Sequence, residues 1–300
     1  MFINNLEKKI SEMPEGSVIP TICSWSDLLG FSVPYVKSNW KPDKEEYKNI
    51  AERLRSMQIL CARNLNAHDE NVIVSNDAIM RNLNFEQINH ADFISMWFRS
   101  VVFFHMAVNT WEKEHGYPGM RTVIAGGERL IHTFDDVRME DYVLNYTKKD
   151  PNGPSSFPDE WRNRIVMYSP PAFQMNTAFS KSYILDSLGS KHGLQGANIY
   201  VDESVLECLT HIAAHFGVKQ DQIVREKTET GVRFSIVNPE SGWYHLGFEL
   251  SDPFPVASPR ITTNVYKLLS FYPWDEDPNT FRIDTAKDYP CPTMPFMDNE

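Results

Sequence analysis

Two short apolar stretches near the start of the chain, each ending in an aspartate, constrain its fold more than any other feature. Thr21-Ile22-Cys23-Ser24-Trp25-Ser26-Asp27 runs straight into the glycine turn Leu28-Leu29-Gly30-Phe31-Ser32. Asn71-Val72-Ile73-Val74-Ser75-Asn76-Asp77 repeats the design further on, and each stretch reads as a strand that delivers one carboxylate at its end. Between them Pro34 and Pro42 break the chain and Asp43 is placed to cap a helix. Tyr47, Ile50, Ala51, Leu54, Met57 and Leu60-Cys61 then recur at helical spacing over residues 44–66.

The rest of the chain continues the alternation. A helical pattern over residues 84–115 carries Phe93, Met96, Trp97, Val101, Phe104, Ala107 and Val108 on one side, and Gly116 and Pro118-Gly119 stop it. A strand is expected at Met120 to Ala125, ended by Gly126-Gly127, and residues 148–158 read as a surface loop. Strands follow at 164–168 and 198–201, helices at 176–188 and 204–216, and two more strands at 232–237 and 244–250. The expected fold is α/β, an α+β sandwich with a mostly antiparallel central sheet and flanking helices over residues 1–250. Prolines recur from Ser251 onward, so residues 251–300 read as a C-terminal extension that wraps or links.

The formal charge of −11 argues against broad nucleic-acid or anionic-membrane binding, since both need basic faces. An acidic pocket still accepts a nucleotide when bound metal inverts its local field. Cys23, Cys61, Cys208 and Cys291 show no metal-ligand spacing and suit a reduced compartment. No apolar run is long enough to cross a bilayer and no basic-then-apolar leader opens the chain, so a cytoplasmic protein is expected.

Taken alone, Asp27 reads as a turn residue and Asp77 as a hairpin tip or helix cap. Taken together, two strand-end carboxylates that converge can hold divalent metal against a polyphosphate. The N–H groups of Leu28, Leu29, Gly30 and Phe31 are then placed to cradle phosphate oxygens.

Five segments, in order, resemble the catalytic domain of class III nucleotidyl cyclases over about residues 19–250. Ser26-Asp27-Leu28-Leu29-Gly30-Phe31-Ser32 resembles the family's first metal segment, and Asn76-Asp77-Ala78-Ile79-Met80 its second metal turn. Met120 to Glu128, Met175-Asn176-Thr177-Ala178 and Ala197 to Ser204 resemble a strand, a helix start and a strand-turn of the same family. The resemblance implies that Asp27 and Asp77 bind two divalent ions, Mg or Mn, at a nucleoside triphosphate, and that Asn176 orients the ribose. It also implies a head-to-tail homodimer with composite sites.

Three positions depart from the family pattern. Ser180 stands where the family places a transition-state Arg, and Lys181 beside it is either a point-charge substitute or, equally, an exposed helix lysine. Ile73 and Ser169 occupy the two purine-reading positions, so both hydrogen-bonding anchors for adenine are missing. That change resembles the bacterial antiphage pyrimidine cyclases, whose cyclic UMP or cyclic CMP acts on a separate effector protein. Tyr35 reads first as a loop aromatic packed on the core, and is also a candidate for stacking on the smaller base. The competing expectations are a catalytically degenerate nucleotide sensor and a purine cyclase with altered base contacts.

Overall fold

A twelve-residue strand, β1 (Ser17–Leu28), anchors the architecture, because its alternating side chains enter two different layers. The computed structural model describes residues 17–65, 70–83, 92–131, 171–215, 218–238, 244–273 and 281–288. The chain divides into two units, one of Met1–Ile19 with Glu128–Asn176 and one of Pro20–Gly127 with Thr177–Glu300. The expected strand at 164–168, the loop at 148–158, Ser169 and Cys291 lie outside the described residues.

After β1 come α1 (Val33–Lys37), α2 (Lys44–Arg63), β2 (Glu70–Ser75), β3 (Ala78–Leu83) and α3 (Asp92–Glu114). They are followed by β4 (Met120–Ile131), α4 (Thr177–Leu188), β5 (Ile199–Asp202) and α5 (Glu203–His215). The strands β6 (Ile223–Lys227), β7 (Gly231–Val237), β8 (Tyr244–Ser251), β9 (Phe254–Ser258), β10 (Ile261–Tyr272) and β11 (Ile283–Asp284) complete the order. The strands form one mixed sheet in the order β2-β3-β1-β4-β5-β10-β8-β7-β6, with β9 and β11 paired to β10. β4 and β5 run parallel; β1–β3, β2–β3, β5–β10, β8–β10, β7–β8 and β6–β7 are antiparallel. A mostly antiparallel sheet with flanking helices is therefore what the chain builds.

Asp43 caps α2 as its position suggests. Its Oδ1 accepts the N–H of Glu46 at 2.8 Å, and Glu46 Oε2 accepts the N–H of Asp43 at 3.1 Å. Such a reciprocal cap contributes about 1 kcal/mol.

The apolar stripe of α3 (Trp97, Phe98, Val101, Val102) packs with Ile22 of β1, Ile124 of β4 and the α5 stripe into the main core. Each of these side chains, fully buried, stabilises by roughly 1.5–3 kcal/mol relative to exposure. On the alternate positions of β1, Trp25 meets α4, with ring centroids 4.9 Å from Tyr183 and 6.0 Å from Phe179.

Three expectations are corrected. The stretch ending at Asp77 is not a strand that runs into the aspartate: β2 (Glu70–Ser75) is an edge strand half exposed along its length, and Asn76 and Asp77 form the two-residue turn that joins it to β3. Gly126-Gly127 does not end β4, which continues to Ile131. A Cβ at Gly126 would lie 2.3 Å from Ser204 O, and one at Gly127 2.4 Å from Thr177 Oγ1, so these glycines admit the neighbouring helix starts. Residues 251–300 are not an extension throughout, because β10 is a central strand between β5 and β8. The prolines that suggested a tail flank it: Pro255 sits in β9, which among the described residues pairs with β10 alone and so tolerates a missing N–H.

Candidate functional site

The antiparallel register of β1 and β3 opposes Asp27 to Ala78, which places Asp77 one residue beyond, at the tip of the β2–β3 hairpin. Asn76 takes the left-handed conformation there (φ 53°), which asparagine tolerates, and its Nδ2 donates to Asp77 Oδ1 at 3.0 Å. Leu28 N–H donates to Asp77 O at 3.1 Å, so the two aspartate-bearing strand ends are joined by backbone. Fifty residues of sequence separation collapse to adjacent positions in the sheet.

The turn after Asp27 is held from below. Leu29 N–H donates to Gly119 O at 2.8 Å, and Leu29 O accepts from Arg53 Nη2 at 2.8 Å. Arg53 Nε also donates to Glu112 Oε1 at 2.7 Å, and the Arg53 guanidinium lies 4.8 Å from the Tyr117 ring centroid. Arg53 and Glu112 are both buried, so this pair fixes α2, α3 and the turn together. The N–H groups of Leu28 and Leu29 are spent inside the protein, which corrects the expectation that they cradle phosphate. Gly30 (φ 66°) and Phe31 follow, and among the described residues their N–H groups have no backbone partner. The Phe31 side chain is buried with Leu28 in the core under α2, and Tyr35 packs on its ring at 5.9 Å.

A third carboxylate, missed in the sequence, lies close by. Asp186 of α4 is buried and accepts from Arg121 Nε at 2.7 Å, while Arg121 Nη2 reaches Asp186 O at 2.9 Å and Nη1 reaches Leu194 O at 3.1 Å. Its signal was the helical spacing from Ser182, whose side chain meets Cys23 on the same side of β1 as Asp27. Burial first, then the charges of Asp186 and Asp77, push the Asp27 carboxyl up to about 8, against the pull of Arg121 and Arg53. Burial likewise raises Asp186, in spite of Arg121.

A carboxylate so short of positive charge is one that a divalent cation completes. The oxygen donors of Asp27 and Asp77 suit magnesium or manganese, so the residues present fit the implied ions. Among the described residues no group of three or more His, Cys, Asp or Glu is placed to hold a metal. Water and substrate oxygens would complete the coordination, as magnesium generally requires.

The remaining expected residues sit as follows. Lys181 is half-buried on α4 and donates to Gly126 O at 3.3 Å. Ser180 is exposed. Ile73 lies on the edge strand β2 opposite Met80. Tyr35 stacks on Trp40, with centroids 6.0 Å apart and planes at 22°, and Trp40 is exposed in a left-handed backbone conformation (φ 62°). Asn176 belongs to the first unit; it is buried, and its Nδ2 donates to Ala172 O at 2.8 Å.

No protein-family model matches the chain, and no curated protein does. Solved structures do. The guanylyl cyclase Cya2 superposes with a TM-score of 0.49 at 12% identity, covering 91% of this chain and 100% of that one. The dimeric guanylyl cyclase domain of the RhoGC fusion protein from Blastocladiella emersonii gives 0.39 at 9%, covering 86% and 99%. The adenylyl cyclase CyaB from P. aeruginosa gives 0.36 at 9%, covering 85% and 96%.

Proposed function

We propose that the Asp27–Asp77 end of the sheet is the catalytic centre of a nucleotide cyclase. In this reading the ribose 3′-oxygen of a bound nucleoside triphosphate forms a bond to its own α-phosphorus. The bond from that phosphorus to the bridging oxygen breaks in line, pyrophosphate leaves, and the 3′-hydroxyl proton passes to solvent. The observation that carries the reading is the adjacency of Asp27 and Asp77 on hydrogen-bonded backbone, with Asp27 raised by burial and then by its acidic neighbours. Two magnesium or manganese ions, when bound, would lower the pKa of the 3′-hydroxyl and brace the α-phosphate.

Asp27 and Asp77 would hold those ions, and the Gly30 and Phe31 N–H groups would meet phosphate oxygens. Lys181 would offset charge on the transferring phosphoryl group once it leaves Gly126 O. The sequence resemblance gives Asn176 the ribose. Ile73 and Ser169, which lack the hydrogen-bonding reach of purine-reading side chains, favour a pyrimidine triphosphate, UTP ahead of CTP, with Tyr35 against the base. The product would serve as a second messenger in antiphage defence, read by a separate effector, and the enzyme would work as a head-to-tail homodimer.

Incubation of the purified protein with each of the four triphosphates and manganese, with products identified by mass, tests this directly. Cyclic UMP or cyclic CMP is expected; a cyclic purine nucleotide would overturn the base assignment, and no cyclic product from any triphosphate would remove the enzyme reading. A second reading, a nucleotide sensor without turnover, is favoured by Ser180 at the Arg position and by the engagement of Lys181 with Gly126 O. Tight triphosphate binding with no release of pyrophosphate would select it.

A further inference from the structure

Outside the aspartate pair, a cavity of about 590 Å³ opens in the second unit. It lies among the C-terminal half of α3, the starts of β4 and β5, and residues 285–288. Ligand cavities span roughly 300–1,000 Å³, so this volume admits a phosphorylated small molecule. Its charge runs against that of the chain: Lys113, Lys267 and Lys287 line it with one carboxylate, Asp288, in a protein of net charge −11. Lys113 Nζ donates to both Asp288 oxygens, at 2.7 and 3.0 Å, and also offsets the carbonyl end of α3. Among the described residues neither Lys267 nor Lys287 enters an ion pair, so their positive charge is left for an occupant.

The wall of the cavity connects to β1. Asn109 is clamped on Met120, its Oδ1 accepting the Met120 N–H at 2.7 Å and its Nδ2 donating to Met120 O at 3.1 Å. Its Nδ2 also meets His105 Nε2 at 2.9 Å. An amide nitrogen only donates, so Nε2 accepts and the imidazole proton sits on Nδ1. His105 Nδ1 lies 3.0 Å from Thr122 Oγ1, which lies 2.9 Å from Ser26 Oγ. Ser26 is the residue before Asp27. Burial keeps the imidazole neutral, pushed down to about 3, so the chain keeps one direction at physiological pH. Every link from Asn109 to Ser26 is a hydrogen bond.

We propose that this cavity binds a small phosphate-bearing anion through Lys267 and Lys287, and that occupancy is transmitted to the Asp27 strand end through Asn109, His105, Thr122 and Ser26. The site stands apart from the cyclase reading, because it uses neither aspartate and needs no metal.

The test is calorimetric titration of Asp27→Asn/Asp77→Asn protein in EDTA with inorganic pyrophosphate and, separately, with a nucleoside monophosphate. Saturable binding is expected, weakened about tenfold by Lys267→Met with Lys287→Met, the combined effect of two partly exposed charges. The tighter of the two probes tells whether a free phosphate group or a nucleotide is the natural occupant. Hydrogen exchange should slow over residues 109–119 and at Ser26-Asp27, and Ser26→Ala should keep the binding while losing the second protected region. No binding at millimolar probe, or binding indifferent to the two lysine substitutions, overturns the site. Protection at Ser26-Asp27 that survives Ser26→Ala overturns the transmission.

Discussion

Leu28 donates its backbone N–H to the carbonyl of Asp77, so main chain, not side chain, holds the two aspartate-bearing strand ends together. The carboxylates are therefore kept close at the expense of their own repulsion, and removing one charge has opposite effects on stability and on turnover.

In metal-free protein, Asp27→Asn is expected to stabilise by roughly 1–3 kcal/mol at pH 8 while abolishing manganese-dependent product. The native carboxyl titrates at about 8, well above its ordinary value, so between about pH 4 and pH 8 the unfolded state binds fewer protons than the native one. Stability contributed at this position therefore falls as pH rises through that window. Urea unfolding in EDTA at pH 5 and pH 8 checks it; an equal difference between wild type and variant at both would sink the assignment.

His105 has the opposite pH signature. Its imidazole is held neutral with a value of about 3, whereas the unfolded chain protonates near 6.5. Stability is complete above about 6.5 and drains away as pH falls toward 3, by up to about 1.4 kcal/mol per pH unit. The difference in unfolding free energy between wild type and His105→Gln, in which the opposite contribution of Asp27 cancels, should show this slope from about pH 4 to 6.5, and a constant difference would sink it.

Arg53→Met should cost about 3–5 kcal/mol, since it strands the fully buried Glu112 carboxylate. Arg53→Met with Glu112→Leu should recover most of that loss. A double-mutant cycle in urea measures the recovery, and a double variant no better than the single would show that the turn at Leu29, not the charge pair, carries the effect.

Gly119→Ala should destabilise by about 2–4 kcal/mol, measured the same way. Gly119 has φ 96°, and a Cβ there would lie 2.5 Å from Asn109 Oδ1 and 2.7 Å from Ala197 Cβ. A near-neutral outcome would mean that the Asn109 clamp shifts without cost.

The helices α2 and α3 and the strand that carries Asp27 were legible because their signals are local: apolar spacing, a cap, a turn. The Asp186–Arg121 pair was not, because a contact across sixty-five residues leaves no mark in either segment. β3 was passed over because Ala78–Leu83 carries Arg81 and Asn82, which look like surface residues. Both are buried, and Arg81 is neutralised by Glu70 through Nε to Oε2 at 2.8 Å. β10 was hidden by the prolines around it, although its own run from Ile261 to Tyr272 contains none. Gly126 and Gly127 were mistaken for a strand end because the closeness of neighbouring backbone cannot be read from glycine alone.

The position of β10 has a consequence for biosynthesis. A ribosome releasing this chain in order would expose β5 and then the β6–β8 meander with open hydrogen-bonding edges, and nothing could bridge them before Tyr272 emerged. The strands before it must therefore wait, half-assembled and prone to mispairing, until residues 261–272 have been made. A nascent fragment stopped at residue 250 should need chaperone protection that a chain carried through β10 does not.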